Sequence, residues 1–239
     1  MSTFTSMQRL AWAAVLPLSL AAVSPSSQAF EGRGTITVSS GKSTLTFSPE
    51  FFNLFPALGA SLGGYGKAKF QGNLNRQDQR ITFPLASGTL NPERPTPFYA
   101  FEHQGGLTMN RANGTLDVIF NNPSLRASSD CLTPASECLE LGASLIVNGT
   151  VYRYISNFAQ STSLAGFQLK GNEVKIDSVS LFLTEDGASA MNAFFKLNQG
   201  DDIFFQKGYG FGTINVKGTG YQVVCPLNTK YNRNLQECR

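Results

Sequence analysis

The chain of 239 residues holds a single histidine, His103, and only 15% of its residues are charged. With His103 the only imidazole and no C-x2-4-C spacing among the four cysteines, Cys131, Cys138, Cys225 and Cys238, a zinc site is the poorer reading. Basic residues are scattered, without a run or an aromatic-interleaved patch, so the formal charge of +3 gives no warrant for a nucleic-acid partner. No stretch after the first thirty residues approaches the ~20 apolar residues of a spanning helix, which argues against a membrane span in the mature chain.

Nucleophile motifs such as G-x-S-x-G are missing as well, and His103 has Glu102 and Gln104 as neighbours. Glu102, Asp117, Glu185 and Asp186 could supply an acid pair, but nothing singles one out. Gly41-Lys42-Ser43 lacks the first glycine of a phosphate loop, since Ile36 stands there. Gly208-Tyr-Gly-Phe-Gly212 leads into a strand pattern and not into a helix N-terminus that could receive a pyrophosphate. Asp201 and Asp202 lack the alternating oxygen ligands of a calcium loop. These failures point away from an enzyme.

What is present starts with a leader. Arg9, the apolar Leu10 to Val23 and the small-x-small Ser27-Gln28-Ala29 form a secretory signal over 1–29, so the mature chain is expected to start at Phe30. Its destination is then secreted, periplasmic or cell-surface. Four cysteines in an exported chain favour disulfides, and short polar loops favour the local pairings Cys131–Cys138 and Cys225–Cys238. The expected organisation is one β-rich domain over 30–224 and a disulfide-stapled tail over 225–239.

Gly, Phe, Thr, Ser and Asn are plentiful, and polar and apolar residues alternate through Thr35 to Ser39, Ser43 to Phe47, Arg80 to Pro84, Ser87 to Leu90, Phe98 to His103 and Glu173 to Leu183. Asn113-Gly114 and Asn148-Gly149 mark hairpin turns, and with Thr115 and Thr150 they also match the N-glycosylation acceptor pattern. Residues 156–172 are weakly patterned and read as a long loop or short edge segment. Two helices interrupt the strands. Ser48-Pro49-Glu50 opens one, with Phe51, Phe52, Leu54 and Phe55 along it, and Thr184 caps the other, with Ala188, Met191, Phe194 and Phe195. The fold class is therefore all-β, an antiparallel β-sandwich or flattened barrel with two short helices. Strand, hydroxyl cap, helix and Gly-Tyr-Gly occur twice, which raises two alternatives: Tyr65 and Tyr209 share one pocket mouth, or this unit simply recurs.

His103-Gln-Gly-Gly-Leu107 and Gly114-Thr-Leu116-Asp117-Val-Ile-Phe-Asn121-Asn122-Pro123, with Phe83-Pro84 and Ser87-Gly88-Thr89-Leu90 upstream, resemble the HtaA-type domain. The resemblance implies a secreted or surface-held β-rich bacterial module that binds heme through a tyrosine, with a histidine in support. His103 would then contact heme iron or support its ligand. The first helical segment, where the family keeps its tyrosine, here has Phe51, Phe52 and Phe55, and the nearest phenol is Tyr65. Phenylalanine cannot ligate iron. Two functions follow. One is an exported, non-catalytic binding module for heme or another flat apolar ligand, with His103, Tyr65, Tyr99, Tyr209, Phe51 and Phe55 at the site and Phe101 beside them. The other is a structural or interaction domain that meets an envelope component and takes no small ligand.

Overall fold

Along β1 (Thr35–Phe47) the buried positions are Ile36 and Val38, then Ser43, Leu45 and Phe47. The inward parity changes at a bulge between Val38 and Ser40, so two expected strands are one continuous strand whose faces exchange midway. β4 (Arg80–Asn91) does the same, burying Ile81, Phe83 and Leu85 and then Gly88 and Leu90, with its shift between Leu85 and Ser87. The computed structural model describes residues 35–72, 79–91, 98–111, 116–131, 137–164, 167–223, 231–232 and 237–238. The leader, the start at Phe30, the Asn113-Gly114 turn and the Cys225–Cys238 pairing lie outside the described residues.

The remaining elements follow in chain order. After β1 come α1 (Pro49–Ala57), β2 (Ala60–Tyr65), β3 (Lys69–Gln71) and then β4. β5 (Phe98–His103), β6 (Gly106–Arg111), β7 (Leu116–Ser128), β8 (Cys138–Val147) and β9 (Thr150–Gln160) come next. β10 (Phe167–Lys170), β11 (Glu173–Leu183), α2 (Glu185–Phe195) and β12 (Gly210–Val223) complete the sheet, and β13 (Tyr231–Asn232) and β14 (Glu237–Cys238) form a separate ribbon.

The pairings β7–β5–β4–β1–β12–β11–β9–β8 and back to β7 make a closed antiparallel circuit. An antiparallel sheet can close only with an even number of strands, and this circuit does so without leaving an open edge along most of its length. Closure is thinnest between β9 and β11, which share two register pairs, Phe182 with Gln160 and Leu183 with Ala159. The all-β expectation holds, as a flattened barrel. β2 and β6 extend it beside the first half of β7, and β10 is a short edge strand in the segment expected to be a long loop or short edge segment, whose first residues, 156–160, continue β9.

Local chemistry sets the joints. Asn148 and Gly149 have φ of 51° and 76°, as a primed two-residue turn requires, and they close the β8–β9 hairpin. A disulfide joins Cys131 to Cys138 with Cα atoms 5.8 Å apart, the expected local pairing. Ser48 Oγ accepts the Phe51 N–H at 3.1 Å and donates to the Gly210 carbonyl at 2.6 Å. Thr184 repeats this device, accepting from Gly187 N–H at 3.0 Å and donating to the Asn157 carbonyl at 2.6 Å. Each cap thus starts its helix and ties it to a neighbouring strand. Pro56 lies inside α1, near its end, and a helix-interior proline costs about 3 kcal/mol. Phe51, Phe52 and Phe55 are all buried, worth on the order of 2 kcal/mol each, so packing wins and the helix survives for nine residues.

Gly187 tests which of two effects dominates in α2. Alanine usually stabilises a helix by up to about 1 kcal/mol relative to glycine. Here a Cβ at 187 would run into the Phe158 carbonyl oxygen, backbone that cannot turn aside. Gly187→Ala is therefore expected to destabilise by roughly 1–3 kcal/mol, read as a lower urea midpoint. An unchanged or higher midpoint would show that α2 is free to shift off β9.

Candidate functional site

His103 closes β5 and is 3% exposed. Its Nδ1 lies 2.6 Å from the Pro123 carbonyl oxygen, and its Nε2 lies 2.6 Å from Ser43 Oγ. A carbonyl only accepts, so Nδ1 carries the proton and Nε2 accepts from the Ser43 hydroxyl. The ring thereby ties β1, β5 and β7 together, and the Phe83 ring of β4 meets it edge-on at 6.1 Å. Burial drives its pKa from 6.5 down to about 4, opposed by the bond to Pro123. His103 is thus a neutral strut with both ring nitrogens taken by protein atoms.

The strut sits where the sheet changes partners. β5 and β6 run as one bent ribbon along β7, pairing Glu102 with Ser124 and then Gly106 with Asn121. Three residues on one side, 103–105, oppose two on the other, Asn122 and Pro123. Asn122 absorbs the mismatch with φ of 45°, its N–H donating to the Gly105 carbonyl at 2.8 Å and its Oδ1 accepting the Gly105 N–H at 3.0 Å. Gly105 has φ of 87°, and a Cβ there would crowd Ala68 N and the Tyr65 carbonyl oxygen. Gln104 N–H donates to the Pro84 carbonyl at 2.9 Å.

A second assembly occupies one end of the barrel. β1 and β11 both lie antiparallel to β12, so α1 and α2 leave the sheet at the same end. Phe55 of α1 meets Phe195 of α2 at 5.8 Å, and Phe205 packs against Phe51 at 5.8 Å and Phe195 at 6.1 Å. Phe211, Phe120 and Phe158 carry the stack into the barrel, with centroids 4.7–5.6 Å apart. Asn192 fixes Phe205 by bonding both its N–H and its carbonyl at 2.9 Å. Leu54, Leu58, Phe195 and Tyr209 are half-buried and pack against the core.

Polar groups at this end are few. Asp117 is 1% exposed; its carboxylate contacts Arg111 Nε at 3.0 Å, out of hydrogen-bond alignment, and accepts the Asn148 N–H at 3.1 Å. The Arg111 guanidinium lies 4.6 Å over the Phe194 ring. Burial, and then the nearby Glu50 carboxylate, raise the Tyr209 pKa above its usual 10, so its phenol resists ionisation.

The structure divides the expected site residues among three places. Phe51, Phe55 and Tyr209 belong to the helical end. Tyr99, Phe101 and His103 point into the interior, each 3% exposed or less. Ser43 lies four residues before Phe47 on β1, about 13 Å along the strand, so His103 stands well below the helices. Tyr65 is 47% exposed at the far end of β2 and pairs with Gly106, so the two Gly-Tyr-Gly phenols do not meet. Ser43, Pro123, Asn192 and Phe205 were not foreseen. Ser43 left a signal, a hydroxyl in step with the inward Leu45 and Phe47, and Pro123 stood within the HtaA-type run without a role assigned to it. Among the described residues, no group of three or more Asp, Glu, His or Cys residues is placed to hold a metal ion.

No protein-family model matches the chain, and no curated protein sequence does. Among solved structures, the C-terminal domain of HtaA from Corynebacterium glutamicum is similar, at 14% identity and a TM-score of 0.51, covering 78% of this chain and 99% of that domain. Heme binding protein HtaB from the same organism aligns at 13% identity and a TM-score of 0.48, over 79% of this chain and 96% of its own. The first likeness shows a shared fold.

Ser43→Ala should cost about 1–3 kcal/mol in chemical denaturation, because it leaves the buried Nε2 of His103 without a donor. A cost within a few tenths of a kcal/mol would mean that the strut does not bear on the barrel.

Proposed function

We propose that this chain, which carries the HtaA-domain fold, is an exported, non-catalytic module that binds a flat apolar ligand in the seam between α1 and α2. The observation that carries the reading is the aromatic end: the half-buried Phe195 packs on the buried rings of Phe55 and Phe205, and Leu54 and Leu58 of α1 and Tyr209 are half-buried as well. Stacked rings recognise a planar apolar face and are indifferent to most other shapes. Heme is the first candidate, supported by the shared fold and by the HtaA-type run around His103. Export is supported by the leader pattern and by the Cys131–Cys138 disulfide.

In this reading His103 supports the site from below, the half-buried Phe195, Leu54, Leu58 and Tyr209 make the contacts, and the buried rings hold them in place. Tyr209 supplies a neutral hydroxyl at the rim, since burial and Glu50 oppose its phenolate. One observation favours the alternative, an interaction domain without a small ligand. Val151, Tyr152 and Tyr154, each more than half exposed, crowd one short piece of β9.

Hemin titrated into the mature protein should give saturable binding with a shifted Soret band. Leu58→Glu, at the half-buried C-cap of α1, should weaken that binding about ten-fold or more with the circular dichroism unchanged, because a carboxylate would stand where an apolar face docks. Absence of saturable binding in the wild type removes heme and strengthens the interaction-domain reading. Binding untouched by Leu58→Glu places the ligand elsewhere.

A further inference from the structure

We propose that His103 is an acid-sensitive latch: its protonation releases the crossing of β5–β6 with β7 and opens the barrel locally, beneath the turn that joins β2 to β3. The geometry is that of a hinge. β7 pairs with β6 up to Asn121 and with β5 from Ser124, and the intervening bend is held by the Asn122–Gly105 exchange and by His103. Across the crossing, β4 pairs with β5 through Leu85 and His103 but turns to β3 at its other end, so the sheet divides at this point. The Ala68 N–H donates to the Tyr65 carbonyl in the turn that closes the division, pressed against Gly105.

No anion near the ring offsets a protonated imidazole, and the Pro123 carbonyl is the group that favours it. β1 contributes Ser43 while Lys42 is exposed, and β4 contributes Phe83 and Leu85. On β7 the partner is the Pro123 carbonyl, and Asp117, six residues earlier, is engaged with Arg111. Glu102 on β5 is exposed and paired with Arg126 at 3.2 Å. Gln104 and Gly105, which lead into β6, are uncharged. Protonation at Nε2 would turn Ser43 Oγ from donor to acceptor, displacing its hydroxyl proton, and leave a cation buried among largely apolar side chains with no anion beside it.

The direction follows from proton counting. With a folded pKa near 4 against 6.5, the closed seam binds fewer protons than an open one. The latch is fully stable above about pH 6.5 and weakens as pH falls toward 4, the open fraction growing about ten-fold per pH unit in that window.

The test is amide hydrogen exchange on the mature protein between pH 7 and pH 4.5, corrected for intrinsic rates. Residues 104–107 and 121–124 should lose protection by about ten-fold or more while Ile176, Ile214 and Val216 keep theirs. His103→Gln, which keeps an amide donor and acceptor but does not titrate, should abolish the difference and leave Glu102 and Asp117 in place as controls. Because the chain has one imidazole, the wild-type Hε1 resonance gives a second readout, with its midpoint expected below pH 5 and matching the rise in exchange even if the variant fails to fold. Equal loss of protection in every strand, no selective loss at the seam, or a pH effect surviving in His103→Gln would each overturn the latch.

Discussion

Closure of the barrel depends on one strand having two partners on the same edge. β7 serves β6 with its first half and β5 with its second while β8 pairs along the other edge. A strand cannot pass between partners without a break in register, and a break exposes backbone groups that must be satisfied in place. Asn122 and Gly105 bond to each other across the break, and His103 takes the carbonyl of Pro123. Without those bonds the circuit would be an open, twisted sheet.

The aromatic end answers a different requirement. A barrel of this size leaves a mouth that must be filled, and two short helices with phenylalanines on one face fill it. The helices are too short to be stable alone, so their persistence comes from capping and burial. Ser48 and Thr184 make the same two bonds each, which is why a strand, a hydroxyl and a short helix occur twice in a chain with no other sign of duplication.

Much of this was legible from local pattern. Alternation located the strands, hydroxyl residues marked both helix starts, and Asn148-Gly149 marked its turn. The parity change in β1 was visible as two strands because inward residues switch from even to odd numbers across Ser39 to Lys42. What stayed hidden depends on long-range pairing. Ser43 and His103 are sixty residues apart, and no periodicity says that they touch. The phenylalanine cluster draws on two helices, a loop and several strands, so no window of sequence displays it. The HtaA-type run was conspicuous for a reason that its resemblance did not state. Phe83, Pro84, Gly105, Asn122 and Pro123 each hold backbone or packing at or beside the crossing, Asp117 accepts the Asn148 N–H at the helical end, and Gly88 has no room for a Cβ beside the Phe101 ring.

The pairing of β1 with β12 sets when the molecule can become itself. Thr35 lies opposite Val223, so nearly the whole described chain separates the two edges of one ladder. Contacts of such span form late, after the entropy of a long loop has been met, and folding dominated by them is slow. During synthesis the first strand can pair with β4 early, but its ladder to β12 waits until the last strand of the barrel has emerged. The barrel can therefore close only once both ends of this ladder are present together, however early the strands between them have paired.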